Sequence, residues 1–235
     1  MNKQAAVNKR QSEEVNVMRT VVIGDVHGCY RELKRLVSRL EEDKAYEPGR
    51  DRLIFLGDYI DRGENPRRVI RFIRDLQERY GNVIALMGNH EDMLLEWLDG
   101  EGRSWEYNGC EATIRSYKGY MADFQDDCRW MRDLPLYYED DHYIYVHAGI
   151  DPEIPMEEQD KETLLWIRDE FIDNPVKAEK VVVFGHTPGY GQPYQTPAGN
   201  ICLDVGCVFY GSLTAMVIGE DGEKTFCGSQ GALSG

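Results

Sequence analysis

The chain has little that would tie it to a membrane or to nucleic acid. It lacks any apolar run approaching the roughly 18 residues that a membrane span requires. Basic residues are scarce: 27 Lys and Arg stand against 42 Asp and Glu, for a formal net charge of −15. Phosphate backbones are held by clustered positive charge, so this balance argues against a general nucleic-acid binder. A small phosphorylated substrate remains open, because it needs only one or two local cations. The six cysteines are scattered, with no C-x-x-C pair among them. The polar start, MNKQAAVNKRQSEEVNV, lacks the apolar centre of a secretory signal. Reduced thiols and a cytoplasmic setting are therefore expected. No internal repeat or low-complexity segment is present.

At 235 residues the chain is long enough to bury a substantial core as one domain. Residues 1–18 read as a flexible extension before a single domain over 19–235. Apolar runs then alternate with helical patterns. TVVIG (20–24), RLIFLG (52–57) and NVIALMG (82–88) read as strands. Between them, Leu33, Leu36, Val37 and Leu40 recur at helical spacing, as do Val69, Ile70, Ile73 and Leu76 after Pro66. A third helix, HEDMLLEWL, follows the third strand. This βαβαβα order predicts a largely parallel sheet covered by helices. Residues 99–135, rich in glycine, charge and aromatics, predict a helical cap with a small core of its own. Strand patterns return at HYIYVHAG, KVVVFGH, NICLDVG, SLTAMVIG and EKTFCG, and antiparallel pairing is expected among the last three. The fold class is α/β, an αββα sandwich of mixed sheets with a small cap.

The strands share an ending. GDVHG (24–28), GDYIDRG (57–63), GNHE (88–91), VHAG (146–149) and GHTP (185–188) each close an apolar run with acidic, amide or imidazole side chains beside glycine. Such residues do not belong unpaired in an apolar core, and in open α/β sheets sites gather outside the carboxyl ends of strands. Five segments thus deliver Asp25, His27, Asp58, Asn89, His147 and His186 to one edge. Only five histidines exist, and four of them (His27, His90, His147 and His186) sit at these ends. His142, which opens a strand, reads as a surface residue. Carboxylates, imidazoles and one amide, without thiolate, suit two divalent ions, manganese first and iron or zinc as alternatives. Two such ions can clamp a phosphoryl group and generate hydroxide near neutral pH.

In this order the five motifs resemble the phosphoprotein phosphatase branch of the calcineurin-like metallophosphoesterases, nearest to the small bacterial and bacteriophage lambda-type serine/threonine phosphatases. The resemblance spans about 19–219, since LLWIRDEF and LDVGCVFYGSLTAM also look like family segments. It implies that Asp25 and His27 hold one metal, that Asp58 bridges, and that Asn89, His147 and His186 hold the other. It further implies that His90 is the general acid, with Asp61 orienting it and raising its pKa. Arg62 and Arg168 would grip phosphate through their planar forks. The implied reaction is metal-dependent hydrolysis of a phosphomonoester on a phosphorylated protein or a small phosphorylated substrate, by attack of hydroxide at a dinuclear centre.

Four other readings stand beside this one. Symmetrical diadenosine tetraphosphate hydrolases, or a broad nucleotide phosphatase, are near rivals; the former typically carry a non-acidic residue where this chain has Asp61. A non-catalytic regulatory protein on the same fold would be expected to have lost a ligand or the acid, and none is missing. Cys29 and Arg35 have the C-x5-R spacing of cysteine-dependent phosphatases, but the intervening YRELK reads as helix and contains no glycine to shape a phosphate loop. GHTP also lacks the second histidine of the GHxH motif seen in many nucleases and cyclic-nucleotide phosphodiesterases of the superfamily.

Overall fold

A computed structural model of the chain describes residues 19–232; the expected extension over 1–18 lies outside the described residues. The first half runs β1 (Thr20–Ile23), α1 (Tyr30–Glu42), β2 (Arg52–Phe55), α2 (Pro66–Arg79), β3 (Val83–Ala85) and α3 (Asn89–Asp99). A 3-10 turn at Ser104–Tyr107 leads to α4 (Cys110–Ser116) and α5 (Met121–Arg132). The second half contains β4 (Tyr137–Glu139), β5 (Tyr143–Val146), α6 (Lys161–Trp166), α7 (Asp169–Ile172), β6 (Val181–Phe184), β7 (Tyr194–Gln195) and β8 (Ile201–Cys202). It closes with α8 (Cys207–Tyr210), β9 (Thr214–Ile218), β10 (Lys224–Gly228) and β11 (Gly231–Ala232).

These strands form two mixed sheets, ordered β11-β10-β9-β1-β2-β3 and β4-β5-β6-β8-β7. Strands β1, β2 and β3 are parallel neighbours, while β9 runs antiparallel to β1. In the second sheet β5, β6 and β8 are parallel.

The period of two explains the layering. In the first sheet Val22, Ile54, Leu56, Met216 and Ile218 point inward, against Tyr143, Tyr145, Val183, Ile201 and Leu203 of the second. The alternate residues Val21, Ile23, Leu53 and Phe55 face the apolar stripes of α1 and α2. On the far face of the second sheet, Ile144, Val146, Val182 and Phe184 pack on Leu164 of α6 and Phe171 of α7. Each fully buried aliphatic side chain of this kind contributes roughly 1.5–3 kcal/mol. Because the strands are buried on both faces they read as continuous apolar runs, and their polar residues collect at the ends.

Two expectations are corrected. β9 and β10 pair antiparallel as expected, but β8 belongs to the other sheet, parallel to β6. The chain crosses between sheets at Gly206, whose φ of 70° starts the one-turn helix α8. Residues 99–135 do not carry a separate core: Trp105, Cys110, Tyr117, Cys128 and Met131 join the cluster under α1, α2 and α3. No helix among the described residues is long and apolar enough to cross a membrane.

Candidate metal centre

The loops after β1, β2, β3, β5 and β6 converge as expected, and every strand-end residue is buried. Asp25, His27, Asp58, Asn89, His147 and His186 are each at most 5% exposed. Two groups of ligand atoms form, His27 with Asp58 and His90, and Asp58 with His147 and His186. Within each group the atoms lie inside 4.8 Å of one another. Asp58 belongs to both.

The backbone reaches this arrangement under strain. Among the described non-glycine residues with positive φ are His27 (41°), Asp58 (53°), Asp61 (65°), Arg62 (62°) and His186 (64°). Left-handed conformations of this kind cost on the order of 1–3 kcal/mol each and persist where surrounding contacts enforce them. Glu91 supplies that enforcement in the second loop. Its Oε2 accepts from the N–H groups of Asp58 (2.9 Å) and Gly88 (3.1 Å), and its Oε1 from those of Tyr59 (2.8 Å) and Ile60 (3.1 Å). Burial, with the nearby Asp58 charge, pushes the Glu91 carboxyl up to about 8. All four partners are donors, however, so a proton on Glu91 would have nothing to donate to, and we assign the carboxylate.

Glycine is required at two close approaches. A Cβ on Gly88 would lie 2.3 Å from both the Asp58 nitrogen and its Oδ1. One on Gly185 would lie 2.0 Å from Asp25 Oδ1.

Hydrogen bonds fix the tautomers. His147 Nδ1 donates to the Leu56 carbonyl (2.9 Å) and His27 Nδ1 to that of Ile60 (2.9 Å), so both Nε2 lone pairs face the centre. Burial lowers the pKa of His147, and it drives His186 down to about 2 with help from His147 and Arg168. His147 and His186 are therefore neutral, as metal ligands must be; at His27 burial acts the same way, but Asp58 outweighs it and the net direction is up. Burial opposes ionisation of Asp58 too, yet any proton taken up by His147, His90 or His27 favours its charged form, and the net direction is well below its usual range.

One end of the Asn89 amide meets four acceptors: His147 Nε2 (3.0 Å), His186 Nδ1 (3.2 Å), and Asp58 Oδ1 (3.2 Å) and Oδ2 (3.3 Å). An NH2 group satisfies some of them, whereas a cation would satisfy all of them and draw the amide oxygen inward. The donor set and its geometry fit divalent ions bound by nitrogen and oxygen.

Asp25 stands slightly apart. Both its oxygens accept from the His186 N–H (3.1 and 3.2 Å), and it falls outside the two tight groups. Burial raises its pKa well above the ordinary value, and the charges of Asp204 and Asp58 add to the effect. His90, in contrast, lies nearer Asp58 than a purely peripheral acid would, with Nε2 4.0 Å from Oδ2. Its Nδ1 donates to Asp61 Oδ2 at 2.7 Å. Asp61 does raise the His90 pKa, as expected, but burial is the larger effect and the net direction is down.

Both arginines reach the centre. Arg62 donates to His27 Nε2 (2.7 Å), and Arg168 to the His186 carbonyl and Thr187 Oγ1 (3.0 Å each). His142 is exposed and takes no part. Arg35 sits inside α1, so no phosphate loop joins it to Cys29.

Four contributors escaped the sequence reading. Glu91 holds the β2 loop. Asp204, 5% exposed, accepts from the Gly206 N–H (2.8 Å) and lies beside Asp25; it carries the same signal as the others, an acid ending an apolar run beside glycine. Trp105 Nε1 (3.0 and 3.1 Å) and Thr113 Oγ1 (2.6 Å) both donate to Asp61. Nothing in the sequence marks these two.

Fold and site together define a metallophosphoesterase. The chain belongs to the calcineurin-like phosphoesterase family, whose profile matches residues 18–217. It is 33% identical over 141 residues to a symmetrical bis(5'-nucleosyl)-tetraphosphatase of Actinobacillus succinogenes, covering 59% of this chain and 47% of that protein. The chain thus spans about half the length of that relative. An asymmetrical bis(5'-nucleosyl)-tetraphosphatase PrpE of Oceanobacillus iheyensis is 30% identical over 225 residues, 84% of this chain and 88% of that protein. Among solved structures, a putative diadenosine tetraphosphatase superposes with a TM-score of 0.63 at 21% identity, over 93% of this chain and 96% of that one. A serine/threonine phosphatase of Saccharomyces cerevisiae gives 0.61 at 16% identity, over 88% and 74%. These likenesses show the shared fold.

Proposed function

We propose that the chain is a two-metal phosphohydrolase that cleaves dinucleoside tetraphosphates. The observation that carries the chemistry is the single carboxylate, Asp58, shared by two ligand groups. The substrate class is supported by the relatives named above, one of them matched over most of both chains. This reverses the order expected from the motifs, which put a phosphoprotein first and the dinucleotide second.

His27 and Asp58 would hold one ion with Asp25, which stands outside the tight group that contains His90, and Asp58, Asn89, His147 and His186 the other, with manganese the first candidate. When bound, such ions supply Lewis acidity toward water and toward phosphate oxygens. The protein does the rest. Glu91 keeps Asp58 in its left-handed conformation, so the shared carboxylate is presented without rearrangement. Arg62 and Arg168, one at each ligand group, orient the phosphate chain and oppose charge that grows on its oxygens. His90 donates from Nδ1 to Asp61, so a proton for the departing oxygen would come from Nε2 of its imidazolium form, which burial opposes and Asp58 and Asp61 favour. Asp61, clasped by Trp105 and Thr113, cannot turn away.

A second reading, a phosphoserine or phosphothreonine phosphatase, is favoured by that same His90–Asp61 pair. An alkoxide leaving a phosphomonoester needs protonation in the transition state. A departing nucleotide phosphate, with a second pKa of about 6, needs it far less.

Manganese-loaded protein should therefore be offered diadenosine tetraphosphate and a phosphoserine peptide side by side, with a chelator control. Faster cleavage of the dinucleotide supports the proposal, and its products separate two diphosphates from a triphosphate plus monophosphate. Faster release from the peptide moves the function to the second reading. Two bound ions with no cleavage of either would favour a regulatory protein.

A further inference from the structure

Beyond His186 and Asp204 the chain raises a lip of aromatic side chains that folding does not require. Tyr190 is 90% exposed, Phe209 68% and Tyr210 51%. They come from two loops that are tied together: the Gly189 N–H donates to the Asp204 carbonyl (2.9 Å) and the Gly191 N–H to that of Val205 (3.1 Å). The Tyr210 ring lies over this junction, within 3.1–3.7 Å of where a Cβ on Gly206 or Gly191 would stand. At Gly206 a side chain would crowd the ring, so glycine there leaves it room against the loop. Tyr190 is itself held at a φ of 44°, a conformation costly for an aromatic residue and one that an exposed turn would ordinarily give to glycine or asparagine. Single exposed aromatics need no explanation, but three on one lip do.

The place of this lip limits its purpose. Tyr190 follows His186 by four residues, a stretch of chain that reaches at most about 14 Å. Between them Thr187 accepts from Arg168, one of the two arginines placed at the ligand groups. Phe209 and Tyr210 follow Asp204, the buried acid beside Asp25. A phosphate chain seated between the ligand groups and Arg168 would therefore have these rings within reach of its next substituent. Flat, uncharged aromatic faces next to a phosphate site suit a heterocyclic base; they offer nothing particular to a serine side chain or to bare polyphosphate.

We propose that Tyr190, Phe209 and Tyr210 form a stacking platform for the base of a nucleoside polyphosphate. This rests on the dinucleotide reading above and deepens it by assigning the residues that distinguish a nucleotide from other phosphate chains. Stacking is tolerant of base identity because every base presents a π-face, so adenine and guanine dinucleotides should be accepted alike.

The test compares kcat/KM for diadenosine tetraphosphate with kcat/KM for inorganic tetraphosphate, using the full manganese-loaded chain. The variants are Tyr190→Asn, which tolerates the positive φ, Phe209→Ala, their combination, and Tyr210→Ala with Tyr210→Trp as the conservative partner. Loss of a stacked base is worth a factor of roughly 5–150, so the dinucleotide-to-tetraphosphate ratio should fall by that factor in the combined variant. Tyr210→Trp should hold the ratio where Tyr210→Ala lowers it. A ratio within twofold of the parent in the combined variant overturns the platform while leaving the dinucleotide activity standing. A parent protein that cleaves phosphoserine peptide and not the dinucleotide overturns the functional reading, and the platform with it.

Discussion

Replacing Glu91 by glutamine changes one atom's hydrogen-bonding character and tests how the centre is held. Each carboxylate oxygen accepts from two backbone N–H groups, Oε2 from Gly88 and Asp58 and Oε1 from Tyr59 and Ile60. Glutamine keeps one oxygen and turns an NH2 toward the other two donors. Two buried N–H groups are then left without acceptors, at about 1–3 kcal/mol each, or roughly 2–6 kcal/mol in all. For a chain of this size each kcal/mol moves the melting temperature by about 2–4 °C, so Tm should fall by about 4–24 °C. The loop that loses its tether carries Asp58, Asp61 and Arg62, all at positive φ, and will relax toward commoner conformations. Manganese affinity should fall with it. Thermal unfolding followed by circular dichroism, with and without manganese, measures both effects. If Glu91 were instead a neutral acid, glutamine would mimic it. A Tm within about 1 °C of the parent and unchanged manganese uptake would refute the carboxylate assignment.

His90→Asn should lower turnover of a phosphoserine peptide by a factor of about 10²–10⁴ and of diadenosine tetraphosphate by much less, with metal content by elemental analysis unchanged; loss of an ion would show His90 to be a ligand. Asp25 has a folded-state pKa raised above its unfolded value, by burial and then by Asp204 and Asp58. Its contribution to stability is present below about pH 4 and lost as pH rises through the folded value. Chelator-treated Asp25→Asn should accordingly melt higher than the parent at pH 8, by a margin that shrinks toward pH 4, and should lose the Tm gain on adding manganese. An equal margin at both pH values would argue against this assignment. Thr113→Val removes a donor to Asp61 and the acceptor of the Asp61 N–H (2.9 Å). It should cost about 2–4 kcal/mol in urea unfolding and slow peptide turnover more than dinucleotide turnover; equal slowing of the two would point to a general loss of structure.

Much of the fold was legible because the strands are buried on both faces. Runs such as TVVI and RLIF can be little else, and their polar ends stand out against them. That contrast singled out Asp25, His27, Asp58, Asn89, His147 and His186 before any geometry, and the structure brings the loops that carry them together. It would have revealed Asp204 as well, had LDVG been read by the same rule. The support behind the site was not legible. Asp61 is gripped by side chains 44 and 52 residues away, and a tryptophan or threonine in a helical segment carries no sign of such a partner. Residues 99–135 looked self-contained because their composition differs from the rest. In fact Trp105 and Met131 complete the main core, so the segment is part of the scaffold that holds Asp61 against His90. Strands of two residues, such as β8, carry no periodicity, and their sheet could only be found by pairing.

The central claim is that one carboxylate serves two metal ions, and Asp58→Asn addresses it directly. Manganese uptake should be titrated into chelator-treated parent and variant, with bound metal quantified per chain. The account predicts two equivalents for the parent and loss of both together in the variant, because neither ligand group is complete without Asp58. A variant that kept one equivalent at the parent's affinity would contradict it, and would mean that the two groups act as separate sites.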